Sequence, residues 1–255
     1  MTLREFGDGP VGLVALHGFT QQGGSFEELA SLLDIGVVAV DLPGHGHTEV
    51  EPITFDGAVS VVGEVLEAFA EPPALLGYSQ GGRIALGLAL AKPDLLDRLI
   101  LVSASPGIED PDLRRQRRVA DDVLAGRIEG LGVEAFIDEW LSLEMFVGLH
   151  RRSVQWRDAD RSLRLENTGT GLAAALRGMG QGAQPYLGED VNQLAVSLLA
   201  VAGADDPRYT RHAEAMVRAV PDGVVEVVEN AGHSVIGEMP DHIATLVGGF
   251  IGLPT

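Results

Sequence analysis

Between the apolar run Ala74–Leu76 and the helix-forming stretch Arg83–Ala91 the chain reads Gly77-Tyr78-Ser79-Gln80-Gly81-Gly82. A serine with glycine two residues before and two residues after it, leaving a strand and entering a helix, predicts a sharp turn. Small neighbours permit that turn, and it exposes the serine oxygen. At the start of the following helix, free backbone N–H groups and the macrodipole favour negative charge developing beside Ser79.

The rest of the chain supplies the frame for such a turn. Short β-rich apolar runs at Val11–Leu16, Val37–Asp41, Ala74–Tyr78, Leu99–Ser103, Val196–Ala202 and Val224–Val228 alternate with helical stretches. Those stretches are Ser25–Leu33, Asp56–Ala70, Gln80–Ala91, Thr210–Ala219 and Pro240–Phe250. This alternation predicts an α/β protein: a mostly parallel sheet with helices on both faces. Leu3–Phe6 followed by Gly7-Asp8-Gly9 predicts an antiparallel hairpin at the sheet edge. From 106 to 190 helical periodicity continues without a strand, which predicts a helical cap insertion over the strands' C-terminal edge, between core segments 1–105 and 191–255. Residues 114–164 hold ten of the 17 arginines against nine carboxylates, although the whole chain carries a net charge of −19.

That charge repels phosphate backbones and anionic lipid surfaces, so it argues against nucleic acid as a partner. The absence of cysteine excludes a thiolate nucleophile, an iron–sulfur cluster and cysteine zinc sites. No stretch approaches the roughly 18 to 20 apolar residues of a membrane span, which leads to the expectation of a cytoplasmic protein. Oligomeric state is not legible.

Ser79 needs a base, and His233 in Asn230-Ala231-Gly232-His233 follows the last predicted strand. An imidazole in turn needs a carboxylate to hold its tautomer, and Asp205 and Asp206 after the run Val196–Ala202 both qualify. Serine, then acid, then histidine is the chain order of α/β hydrolases. Two N–H groups should converge on a developing oxyanion: the amide of Gln80 and one from the loop His17-Gly18-Phe19-Thr20. His17 is expected to bond backbone, and His45-Gly46-His47 to support a loop instead of a metal. In Arg114-Arg115-Gln116-Arg117-Arg118, helical geometry puts Arg115 and Arg118 on one side and Arg114 and Arg117 near another. Arg83, one turn after Ser79, could reach the pocket floor. Cationic side chains converging on a serine site in an acidic protein point to a small anionic polycarboxylate substrate. The glycines around Ser79 lack dinucleotide spacing, so no cofactor and no metal are expected.

These residues resemble one group of α/β-hydrolase-fold lyases, the 2-succinyl-6-hydroxy-2,4-cyclohexadiene-1-carboxylate synthases of menaquinone biosynthesis. The resemblance runs through His17-Gly18-Phe19, Asp41-Leu42-Pro43-Gly44-His45-Gly46, Gly77 to Arg83, Ser105-Pro106-Gly107 and Leu176 to Pro185. It departs at Gln80, where the group tends to carry Met or Leu, and at Glu144, where it carries Pro. The resemblance implies the α/β-hydrolase fold and a catalytic Ser79, Asp206 and His233. It also implies an oxyanion hole from the amides of Phe19 and Gln80, and substrate contacts by Tyr78, Arg83, Arg115, Trp140 and Arg164. The implied reaction expels pyruvate from an enolpyruvyl cyclohexene bearing carboxylates, with the triad as a base relay. Two other readings share these residues: a hydrolase of a carboxylic ester or C–C bond, and a non-catalytic binder of a small acid.

Overall fold

Seven strands build one sheet in the computed structural model, which describes residues 1–48 and 51–253. They are β1 (Leu3–Phe6), β2 (Val11–Leu16), β3 (Gly36–Val40), β4 (Ala74–Tyr78), β5 (Arg98–Val102), β6 (Ser197–Gly203) and β7 (Gly223–Val228), in the order β1-β3-β2-β4-β5-β6-β7. All neighbours run parallel except β1, which lies antiparallel to β3. The expected hairpin between β1 and β2 therefore does not form. Both edges of β2 are taken, by β3 and β4, and β1 reaches the sheet only through β3, from Leu3 opposite Val40 to Phe6 opposite Val37. The turn at Gly7 to Pro10 instead carries the chain across the start of β3, where Pro10 O accepts from the Gly36 amide at 3.0 Å. Gly7 has φ +78°, and a Cβ there would lie 2.6 Å from Ile35 O, so the crossing requires glycine.

Strand alternation divides the core in two. Val14, Leu16, Leu75, Leu99, Leu101 and Leu198 face helices α2 (Phe55–Leu66) and α3 (Gln80–Ala91) and the later helix 207–219, whereas Leu13, Ala15, Leu76, Ile100, Val102 and Leu199 face α1 (Glu27–Ser31) and the helix 240–251. Strands buried on both faces explain the near-continuous apolar runs of the sequence. Each fully buried Leu or Ile contributes roughly 1.5–3 kcal/mol by leaving water.

No strand occurs between Pro106 and Asp190 among the described residues. Four helices fill the interval, α4 (Pro111–Leu131), α5 (Val133–Leu141), α6 (Val154–Leu165) and α7 (Gly169–Met179), with a 3₁₀ segment at Glu144–Arg151. Asp110 caps α4 by accepting from the Asp112 and Leu113 amides, and Pro111 occupies the first helical position, where its missing N–H loses nothing. These helices bury a cluster of their own, including Ile128, Phe136, Ile137, Leu172 and Leu176, onto which Phe19 packs. Two kinds of contact join them to the rest. Ala175 and Met179 of α7 enter the first apolar core. On the opposite side the ties are polar: Arg152 donates to both Glu28 oxygens and to Gly237 O, and Gln22 donates to Leu163 O and Glu166.

The chain ends with α8 (Pro207–Ala219), the single turn α9 (Val235–Glu238) and α10 (Pro240–Ile251). Strand register pairs Leu16 with Gly77, Tyr78 with Val102, Val102 with Val201 and Gly203 with Val228. The C-terminal ends of β2, β4, β5, β6 and β7 thus share one edge, and the loops bearing Phe19, Ser79, Asp206 and His233 all leave from it. Among the described residues no helix is long and apolar enough to cross a membrane.

Candidate active site

Ser79 stands at the junction of β4 and α3 with φ 50° and ψ −104°, a left-handed conformation that a non-glycine residue adopts only under constraint. Its neighbours show the constraint. A Cβ on Gly81 would lie 2.2 Å from Leu16 O, and one on Gly77 would lie 2.5 Å from Gly82 Cα, so the turn closes only because these positions are bare. The Ser79 amide donates to Val102 O at 2.9 Å, tying the turn to the neighbouring strand.

His233 reaches this serine from the loop after β7, with Nε2 3.0 Å from Ser79 Oγ. Its Nδ1 lies 2.8 Å from Asp206 Oδ2. A carboxylate accepts only, so Nδ1 carries the proton and Nε2 is left to accept from the serine hydroxyl. Asp206 is the N-cap of α8, where its other oxygen accepts from the Tyr209 amide at 3.4 Å, which fixes the carboxylate plane. The two acids the sequence left open separate here: Asp205 is exposed, and Asp206 meets the imidazole. Tyr209 also packs its ring 4.5 Å from the His233 ring, centroid to centroid, and Tyr78 lies 5.7 Å away.

Among the described residues the amides of Phe19 and Gln80 have no acceptor, whereas the adjoining amides do: Gly18 donates to Gln21 Oε1, Thr20 to His45 Nε2, and Gly81 to His17 O. Two backbone N–H groups without an acceptor, one directly after Ser79 and one in the loop after β2, form a candidate oxyanion hole. Two buried histidines brace the loop that holds Phe19. His17 donates through Nδ1 to Gly18 O and accepts from the Leu42 amide; His45 donates to Pro43 O and accepts from the Thr20 amide. Burial pushes His17 down to about 4 and His45 down to about 3, so both are neutral near neutrality. Among the described residues no group of three potential metal ligands occurs.

The five residues expected at the substrate do not share one environment. Arg164 is buried, ion-paired with Asp160 at 2.8 Å, bonded to the Thr20 hydroxyl, and 6.0 Å from the Phe146 ring centroid. Trp140 packs against Phe19 at 5.4 Å, and its buried indole N–H has no acceptor. Arg83 lies buried on the helix that Ser79 opens, donating to Met179 O at 2.9 Å and Gln184 Oε1 at 3.2 Å. Among the described residues it forms no ion pair, Asp121 acts on it only at longer range, and burial lowers its pKa to about 10, which leaves it cationic. Tyr78 is turned the other way, its hydroxyl 3.0 Å from Ser234 Oγ, and burial pushes its pKa up.

Arg115 is not brought to the site. Its side chain is 72% exposed and pairs with Asp112 one turn back. The inward face of α4 runs through Arg114, Arg117, Asp121, Ala125 and Ile128, and Arg115 projects about 100° away from its neighbour Arg114 on that face. Three residues that hold the site were not found in the sequence: Tyr209 against His233, Asp160 beneath Arg164, and Glu238, described below. Asp160 was detectable as an i,i+4 partner of Arg164. Tyr209 carried no signal, because its role depends on where α8 docks.

The profile of the alpha/beta hydrolase family matches residues 13–245. A Bacillus subtilis (strain 168) chain, provisionally named as a 2-succinyl-6-hydroxy-2,4-cyclohexadiene-1-carboxylate synthase, is 33% identical over 94% of this chain and 89% of its own. A Serratia proteamaculans (strain 568) protein with that synthase name is 32% identical, covering 82% of this chain and 84% of its own. In three dimensions the structure of MenH from S. aureus superposes with a TM-score of 0.92 at 28% identity, covering 98% of this chain and 97% of that one.

Proposed function

We infer that this chain, which belongs to the alpha/beta hydrolase family and within it to the 2-succinyl-6-hydroxy-2,4-cyclohexadiene-1-carboxylate synthases, eliminates pyruvate from 2-succinyl-5-enolpyruvyl-6-hydroxy-3-cyclohexene-1-carboxylate in menaquinone biosynthesis. Ser79, Asp206 and His233 serve as its base relay. His233 takes the hydroxyl proton of Ser79, and Ser79 Oγ removes the ring proton α to the succinyl carbonyl. The amides of Phe19 and Gln80 hold the enolate oxygen. When the carbonyl re-forms, the electron pair moves into the ring and the C–O bond to the enolpyruvyl group breaks. Enolpyruvate recovers the proton from the relay and tautomerises to pyruvate, so water is neither consumed nor released.

Arg83 is the observation that carries the anionic substrate. Leaving a guanidinium buried without a counter-ion is costly unless a partner arrives, and here it lies one helical turn from the nucleophile in a protein of net charge −19. A substrate carboxylate would supply that partner, and its neutralisation by Arg83 would remove a charge that otherwise opposes the forming enolate. Arg164, bonded to the Thr20 hydroxyl, and Trp140, packed on Phe19, are the further substrate contacts in this reading. Residues 106–190 act as the cap over a core formed by 1–105 and 191–255, the substrate is a small polycarboxylate, and the setting is the cytoplasm.

The direct test supplies the enolpyruvyl cyclohexene and follows pyruvate through a coupled dehydrogenase, with the conjugated diene as a second signal and Ser79→Ala as control. Release of pyruvate abolished by Ser79→Ala is expected. Hydrolysis of neutral aryl esters with no pyruvate from the cyclohexene would overturn the reading.

A further inference from the structure

We propose that Glu238, held by Arg151 of the cap, is a positioning residue that aims His233; the inference rests on the base role given to His233 above. Glu238 opens no path to substrate. Its side chain is fully buried, and its two oxygens grip the backbone on either side of a single residue: Oε2 accepts from the Gly232 amide at 2.9 Å, and Oε1 from the Ser234 amide at 3.2 Å. The residue between those two amides is His233. Because its ring must satisfy Asp206 at 2.8 Å and Ser79 at 3.0 Å together, tilting either flanking peptide plane breaks one contact.

Arg151 completes the grip from the Glu144–Arg151 segment. Its Nη2 donates to Glu238 Oε2 at 2.9 Å and to Asn230 O at 2.6 Å. Asn230 itself holds φ 58°, so the cap arginine fastens the loop at its constrained point. Gly148 makes room for the arrangement: a Cβ there would lie 1.7 Å from Glu238 Oε2. The cap is thus bonded to the loop of the base through one buried carboxylate, and displacement of the Glu144–Arg151 segment changes where the imidazole points.

Two variants test this in the full-length protein, Glu238→Gln and Arg151→Met. Gln turns an amide N–H₂ toward one of two backbone donors, and Met removes the cap's hold at a half-exposed side chain that does not support the core. Each should lower kcat, by roughly 10- to 100-fold for Glu238→Gln and several-fold for Arg151→Met, with KM within about twofold of the wild type. The low-field His233 Nδ1 proton resonance should broaden or shift in both variants, a signature that a purely structural role would not move. Arg127→Ala, which breaks an exposed cap ion pair with Glu139, is the control and should leave both readouts unchanged. Folded variants with wild-type kcat and an unmoved resonance overturn the proposal; if Glu238→Gln is insoluble, Arg151→Met decides alone. Wild-type protein that releases no pyruvate sinks the synthase reading instead, while the resonance still tests the geometry.

Discussion

Lowering the pH from 7 to 5 should destabilise this protein by about 4 kcal/mol, through two residues that take no part in proton transfer. His17 and His45 are neutral when buried, with pKa near 4 and near 3, against an ordinary 6.5. The unfolded chain binds a proton on each as the pH passes below 6.5, and the folded chain does not. Stability therefore falls with pH from 6.5 down to the folded pKa values. At about 1.36 kcal/mol per pH unit, each histidine loses about 2 kcal/mol by pH 5. That is a large fraction of the roughly 5–15 kcal/mol typical of a domain. His212, whose pKa is lowered by burial and by Arg208 and Arg211, adds in the same direction. Because the folded protein keeps both histidines neutral down to about pH 4, their hold on the loop of Phe19 should persist across this window, and the effect is one on global stability. Urea unfolding at pH 7, 6 and 5 measures the slope, and imidazole NMR shifts of the native protein assign it. A stability independent of pH over this range, or either histidine titrating near 6.5 in the folded state, would refute the reasoning.

Other outcomes are simpler to state. Ser79→Ala should lower pyruvate release by on the order of 10³-fold or more with the fold intact by circular dichroism. Arg83→Met should raise KM for the anionic substrate by about tenfold or more while sparing a neutral aryl ester, whereas Arg115→Ala should leave both within about twofold; steady-state kinetics on the two substrates separate these cases. Gly81→Ala should fail to give folded protein or lower Tm steeply, because its Cβ would lie 2.2 Å from Leu16 O, and thermal unfolding reads this directly.

Much of the parallel sheet was legible because its strands are buried on both faces and interrupted by helix-length polar periodicity. The turn at Ser79 was legible because its glycines mark it in the sequence, Gly77 being demanded by Gly82 within the turn and Gly81 by the end of β2. The hairpin at β1 was misread: Gly7-Asp8-Gly9 does turn the chain, but which strand then accepts β1 is decided by the vacant edge of β3, a long-range matter. Arg115 was misplaced for a related reason. Sequence spacing separates the faces of α4 without saying which face looks inward, and only the docking of α7 against it decides that. Glu238 was invisible because a carboxylate whose partners are two backbone amides and one distant arginine leaves no pattern in the sequence.

The two attachments of the helices between 106 and 190 differ in physical kind, and this has a consequence in solution. The α7 side rests on Ala175 and Met179 in an apolar core, which salt does not weaken; the opposite side rests on ion pairs such as Arg152 with Glu28 and Arg151 with Glu238, whose arginine or glutamate reaches solvent. Raising ionic strength should therefore weaken the polar margin and spare the apolar one.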